Sequence, residues 1–152
     1  MTADGTKIQE LVDGIPIAMV TTRGPDGELR GRPLAAQRVD ADGTIWFLVD
    51  RHAEWVRPDL GETSVAFVDD TTWVSATGWS TTTADPAVLE DLGDPVTDTW
   101  FEDGAEPIAL RVVVDHADWW DAPGRLRQMF ALAGAKVVRH QPDMGERGVA
   151  EP

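Results

Sequence analysis

The run Leu29-Arg30-Gly31-Arg32-Pro33-Leu34-Ala35-Ala36-Gln37 carries the strongest chemical signal in this 152-residue chain. It reads as the second strand of a hairpin, yet Pro33 has no N–H to give to a sheet ladder. The proline therefore belongs on an edge, at a bulge, or where the backbone turns from its neighbour to face something else. Arg32 beside such a break, with freed backbone groups around it, makes a cradle for an anionic ligand. Without a ligand the same pair is an edge strand bearing a solvated arginine. Other catalytic signals are absent: the chain has no Gly-x-Ser-x-Gly elbow, no His-Glu-x-x-His and no phosphate loop. His52, His116 and His140 are too scattered in sequence to suggest a metal site. Asp118 and Asp121, beside Trp119 and Trp120, are either acid/base candidates or carboxylates facing water at a strand end. Seven tryptophans and no tyrosine suit flat aromatic ligands, subunit interfaces or core.

The elements that must position these residues are short. Lys7 to Val12 reads as an opening helix with Ile8, Leu11 and Val12 on one side and Gly14 as its stop. Strands are predicted at Ile15 to Thr22, Leu29 to Val39 and Thr44 to Val49. They are joined by the turns Gly24-Pro25-Asp26-Gly27 and Asp40-Ala41-Asp42-Gly43. Loops of about four residues impose an antiparallel meander. Asp50 to Leu60 has the pattern of one or two helical turns before Pro58. Thr63 to Val68 and Trp73 to Trp79 read as a fourth and fifth strand, and Asp85-Pro86 as the N-cap and first position of a helix. A second short helix is predicted at Pro95 to Trp100, a sixth strand at Ile108 to Ala117 and a helix at Arg125 to Val138. Six short antiparallel strands with sparse helices fit a mainly β fold, a small barrel closed on itself, because closure removes exposed edges.

Composition narrows the function. With 27 acidic and 13 basic residues the net charge is -14, which argues against nucleic acid and anionic membrane surfaces as partners. The absence of cysteine excludes thiolate catalysis, a thiolate zinc site and disulfides. No run approaches the ~20 apolar residues of a membrane span. The polar start, and the interruption of Leu11 to Val20 by Asp13, Gly14 and Pro16, do not read as a secretory signal, so a cytoplasmic setting is expected.

The order Ile17-Ala18-Met19-Val20-Thr21-Thr22, Gly31-Arg32-Pro33-Leu34, Ile45-Trp46-Phe47 and Trp73-Val74-Ser75-Ala76-Thr77-Gly78 resembles the pyridoxamine 5'-phosphate oxidase-like flavin-binding split barrels. Thr99-Trp100-Phe101 and Ala117-Asp118-Trp119-Trp120-Asp121-Ala122-Pro123 are similar to the general stress protein 26 group within them. The likeness covers about residues 6 to 138 and implies a split-barrel domain over residues 1–140, followed by a disordered tail at 141–152. It also implies a homodimer with two flavin mononucleotide (FMN) sites, each lined by both subunits. Arg32, Pro33, Leu34, Ala35 and Gln37 would then contact the ribityl phosphate and ring, Leu48 and Val49 would lie beneath the isoalloxazine, and Trp73, Trp100 and Trp120 would lie near the dimer cleft.

The phosphate of such a flavin is usually held after the third strand by a pattern such as Thr-Asp-x-x-Ser-x-Lys. Here the chain reads Val49-Asp50-Arg51-His52-Ala53-Glu54-Trp55, so Val49, Ala53 and Trp55 replace the threonine, serine and lysine, and Glu54 stands where a basic residue is common. A phosphate gains from charge-assisted donors and loses from a nearby carboxylate. Arg51, His52 or Arg57, swung into the site, would supply the missing cation. The resemblance implies an FMN-dependent oxidoreductase-like protein acting on a small molecule. The alternatives are a split barrel using another flat cofactor such as the deazaflavin F420, and a non-catalytic stress or binding protein that has lost its flavin.

Overall fold

The structure is a computed structural model that describes residues 3–95, 101, 103–121 and 146–152. In chain order its elements are α1 (Ala3–Val12), β1 (Ile17–Arg23), β2 (Leu29–Val39), β3 (Ile45–Asp50), β4 (Asp59–Val68), β5 (Thr72–Thr83), α2 (Pro86–Leu92), β6 (Pro107–Asp121) and β7 (Glu146–Ala150). All strands join one antiparallel sheet in the order β3-β2-β1-β4-β5-β6-β7. A further pairing of β3 with β6, from Ile45↔Val112 to Asp50↔Pro107, closes the first six strands into a barrel. The expected six-stranded antiparallel barrel is therefore present, with a seventh strand added outside the closure.

Alternation decides which side chains face in. Ala18, Val20 and Thr22 of β1 are buried while Met19 between them is exposed. Phe47, Phe67, Ile45, Leu110, Val65 and Val112 fill the interior, and Ile8 and Val12 of α1 join the same core. Burial of each such side chain contributes about 1.5–3 kcal/mol. A smaller cluster forms on the opposite face of β3 and β6, where α2 brings Leu92, Val88 and Leu89 against Leu48, Ala109 and Trp46. This helix starts as its sequence requires: Asp85 Oδ1 accepts from the Ala87 N–H at 3.0 Å and Pro86 follows the cap.

Several boundaries differ from expectation. Asp50 to Leu60 forms no helix but two linked turns, with the Ala53 N–H donating to the Asp50 carbonyl and the Val56 N–H to the Ala53 carbonyl. Pro58 then leads straight into β4. That strand begins four residues earlier than its apolar pattern suggests, because Gly61 at φ 71° carries a bulge opposite Ser80. β5 and β6 extend each other to Thr83 and Asp121, since each supplies the other's ladder partner.

The tail expected to be disordered contributes β7, which pairs with the end of β6 from Ala117↔Ala150 to Asp121↔Glu146. Its polar, glycine-rich composition hid the strand. Gly148 is what allows the pairing, because a Cβ there would come within 2.6 Å of the Trp119 indole. Of the helix expected at Pro95 to Trp100 only Pro95 is described, outside any helix, and its remaining residues, like the helix expected at Arg125 to Val138, lie outside the described residues. Among the described residues no helix is long and apolar enough to cross a membrane.

The β5–β6 register shifts between Thr77 and Gly78, and there the strands approach so closely that a Cβ on Gly78 would overlap the Val113 carbonyl. Backbone cannot yield as a side chain can. Gly78→Ala is expected to lower unfolding stability by about 2 kcal/mol, within the range of overpacking in a filled core. Gly24→Ala, whose Cβ would meet only Glu28 at 3.3 Å or beyond, is expected to change it by less than about 1 kcal/mol. Urea unfolding of the two variants checks the difference.

Candidate functional site

The front half of β2 has a partner on one side only. Residues 29–35 pair with β1, whereas pairing to β3 starts at Ala36 and shifts register between Ala36 and Arg38. The Ala36 N–H donates to the Pro16 carbonyl at 2.8 Å. Ladder alternation then places Leu34 and Arg32 in hydrogen-bonded pairs with β1, while Gly31, Pro33 and Ala35 turn their backbone polar groups to the other side. Among the described residues no strand occupies that side. Pro33 thus sits where its missing N–H breaks no ladder bond, and the edge exposes the Gly31 and Ala35 amides with the neighbouring carbonyls.

Arg32 pairs with Val20, so its side chain shares the interior face. At the mouth of the barrel its Nη1 donates to Thr22 Oγ1 at 3.0 Å, and Thr22 is only 2% exposed. The guanidinium carbon lies 4.0 Å from the ring centroid of Trp55, which is itself packed on the core. Burial first, and the charge of Arg30 second, hold Arg32 below arginine's ordinary pKa. The β3–β4 loop brings Trp55 and Arg57 to this mouth. Thr82 of β5 anchors the loop, its N–H donating to the Pro58 carbonyl and its Oγ1 to the Arg57 carbonyl.

Between this loop and the β1–β2 hairpin lies a cavity of about 230 Å³, lined by Arg23, Arg30, Arg32, Arg57, Trp55, Thr22, Gly24, Pro25, Glu28 and Glu54. Arg30 pairs with Glu28 at 2.7 Å. Arg57 donates to the Arg23 carbonyl at 2.8 Å, and Arg23 to the Gly27 carbonyl at 2.9 Å. Among the described residues no carboxylate lies within ion-pair distance of Arg23, Arg32 or Arg57. Two larger hollows lack this imbalance. One of about 450 Å³ near the end of α1 contains Arg38, whose charge is matched by Asp40 and Asp91 at 2.8 Å each. The other, about 530 Å³ on the outer face, sets Glu62 and Asp115 against Arg23. Among the described residues no group of three His, Asp or Glu side chains is placed to hold a metal ion.

The other expected site residues scatter. Leu34 packs against the core. Leu48 and Val49 face opposite ways, Leu48 under α2 and Val49 into the barrel, so both cannot lie beneath one ring. Asp50 Oδ1 accepts from the backbone N–H groups of His52 and Glu106, and Arg51 turns to Glu106 at 3.2 Å, away from the cavity. Trp73 and Trp120 are cross-strand partners on the outer face, and Trp73 lies about 10 Å along the sheet from the Arg32 row. Trp100 lies outside the described residues. The residues that sequence reasoning missed are Arg23 and Arg30. The signal was the two-residue period: Arg30 and Arg32 share a face, whereas Arg23, next to buried Thr22 and paired with Leu29, belongs to the opposite face and borders the cavity only at the strand end.

Gln37 is engaged elsewhere, its Nε2 donating to the carbonyls of Leu92 at 3.0 Å and Asp94 at 2.5 Å, where α2 ends. Gln37→Leu is expected to cost about 1 kcal/mol of stability, as for the loss of one part-buried and one exposed hydrogen bond to carbonyls. It should also speed amide hydrogen exchange in α2, and equilibrium unfolding with exchange measurements checks both.

Comparison with known proteins places this geometry. Residues 3–143 match the family model described as pyridoxamine 5'-phosphate oxidase like. A Xanthomonas campestris protein assigned to the general stress family is 26% identical, with a TM-score of 0.63 over 90% of this chain and 95% of that one. The general stress FMN/FAD binding protein of Xanthomonas citri is 24% identical, with a TM-score of 0.62 over 90% and 97%. A Clostridium acetobutylicum protein related to general stress protein 26 is 20% identical, with a TM-score of 0.62 over 77% and 87%. No curated protein matches by sequence. With the family model spanning residues 3–143 of its 152, the chain belongs to the pyridoxamine 5'-phosphate oxidase like family.

Proposed function

We propose that this protein binds FMN and serves in the cytoplasm as a flavin-dependent oxidoreductase-like protein of the general stress type. The observation that carries this reading is the free edge of β2 running beside the arginine-lined cavity. The two features fit the two ends of the cofactor. An isoalloxazine presents amide-like donors and acceptors along its pyrimidine edge, which the free backbone groups of Gly31, Pro33 and Ala35 complement. A terminal phosphate is suited to guanidinium groups. The fold likeness to the Xanthomonas citri FMN/FAD binding protein supports the same reading.

A bound flavin supplies the redox chemistry. The chain's own residues would hold it: Arg32, fixed by Trp55 and Thr22, would meet the anionic end, and the free backbone groups of the β2 edge would take the polar edge of the ring. A second reading, a non-catalytic binding protein that has lost its flavin, is favoured by Glu54 at the cavity rim. Titration of purified protein with FMN, riboflavin and deazaflavin F420, followed by visible spectrum and tryptophan quenching, separates them. Saturable binding of FMN, one per chain, is expected; failure of all three to bind rejects the flavin reading.

The outer face of the sheet suits a second copy of the chain. Met19, Leu29, Val68, Trp79 and Val113 are each 45% exposed or more, and the small residues Gly31, Ala66 and Ser75 between them allow close approach. Exposed apolar surface on that scale marks an interaction surface. Light scattering at micromolar concentration is expected to give twice the chain mass, and Val68→Glu with Met19→Glu to give the single-chain mass. A wild-type protein already at the single-chain mass contradicts the dimer.

A further inference from the structure

The hollow beside the end of α1 lies at the other end of β2 from Arg32 and has a different chemistry. About 450 Å³ is enclosed between the helix, Ile15 and Pro16, and the bulged part of β2 at Ala36, Arg38 and Val39. That volume falls within the roughly 300–1,000 Å³ of small-molecule sites. Much of the lining is core: Phe67 is 0% exposed, and Val12 and Ile15 are buried with it. Gly14 leaves one wall open, since a Cβ there would meet nothing within 4 Å.

The charges at its rim decide what it can hold. Arg38 is the one basic residue of the lining, and two carboxylates already face it, Asp40 at Nε and Asp91 at Nη1. An anion drawn to Arg38 would add a third negative charge to a single positive one. Asp13 also lines the hollow, exposed, and no basic group among the described residues lies within ion-pair distance of it. The last turn of α1 contains no basic residue, so the negative end of the helix dipole at Val12 meets this rim uncompensated from within the helix. Gln9 spends its Nε2 on the Val39 carbonyl at 2.9 Å, which leaves it an oxygen to offer. Acceptors and negative charge therefore surround an apolar floor.

We propose that this hollow binds a small apolar amine, with its hydrocarbon part against Val12, Ile15, Pro16, Val39 and Phe67 and its ammonium at Asp13 and the end of α1. Apolar contact supplies most of the affinity, and the charges supply the selection, because an ion pair at an exposed carboxylate is weak. The hollow begins at Ala36, one residue beyond the free edge of β2, yet binding there requires no flavin and stands apart from the function proposed above.

The test is titration calorimetry on the full chain, with no flavin added, of phenethylamine, phenethyl alcohol and phenylpropionate, probes of similar size and different charge. Wild type is compared with Asp13→Asn, Ala36→Leu and a control, Asp26→Asn in the β1–β2 turn. The amine is expected to bind at least about tenfold tighter than the carboxylate, with the alcohol between them, and the gap to narrow as ionic strength rises. Asp13→Asn is expected to weaken the amine about threefold and leave the alcohol unchanged. Ala36→Leu, which fills the hollow, should weaken amine and alcohol alike by about fivefold or more; Asp26→Asn should do nothing. Circular dichroism checks that Ala36→Leu is folded, and should it not be, Asp13→Asn decides alone, its side chain being exposed. Carboxylate affinity equal to that of the amine overturns the proposal, as does amine affinity that Asp13→Asn leaves unchanged, or no amine binding at millimolar concentration. Amine binding in a protein that takes no FMN supports the hollow and rejects only the flavin reading, whereas FMN binding without amine binding overturns the hollow alone.

Discussion

The ladder between β3 and β6 is the constraint on which the rest of this structure depends. It turns an open meander into a barrel, gives Phe47 and Leu110 a shared interior, and provides the outer surface on which α2 lies. β3 pairs with β2 along one edge only over Ile45–Phe47, with a bulge between Ala36 and Arg38, while its other edge pairs with β6 from Ile45 to Asp50. The front of β2 is left with one neighbour. The free edge at Pro33 is an unpaired strand segment beside the core of an otherwise closed barrel.

The mouth of the barrel then concentrates opposing tendencies. Thr22, Thr63 and Ser80 place hydroxyls inside the wall, Thr63 and Ser80 bonded to each other at 2.5 Å, and Arg32 adds a charge that burial and Arg30 disfavour. A chain selected for stability alone would fill such a mouth with apolar side chains. Trp55 softens the conflict by giving Arg32 a polarizable surface, and Thr82 holds the loop that carries both Trp55 and Arg57.

Much of this was legible before any coordinates. Periodicity of two located the strands, and four-residue turns made them antiparallel, so closure followed from the need to hide edges. Pro33 announced a free edge because its chemistry admits few other places. What escaped reading depended on partners distant in sequence. Nothing local to Gly148 predicts that it slides under Trp119 to seat β7. The opposite facing of Leu48 and Val49 followed from alternation, yet a shared ring placed them together. Trp55 read as a missing lysine, whereas its meaning lies in a contact with Arg32 on another strand.

The β3–β6 pairing also sets a schedule. Asp50 meets Pro107 and Ile45 meets Val112, so β3 emerges some sixty residues before the strand that will cover it. At roughly 5–20 residues per second of synthesis, that delay is on the order of 3–12 seconds. During it the Ile45–Asp50 segment, the most apolar strand of the chain, is an uncapped template on the ribosome. The nascent chain is therefore most vulnerable to pairing with the wrong strand in that interval, and sequence changes that slow the decoding of β4 or β5 lengthen it.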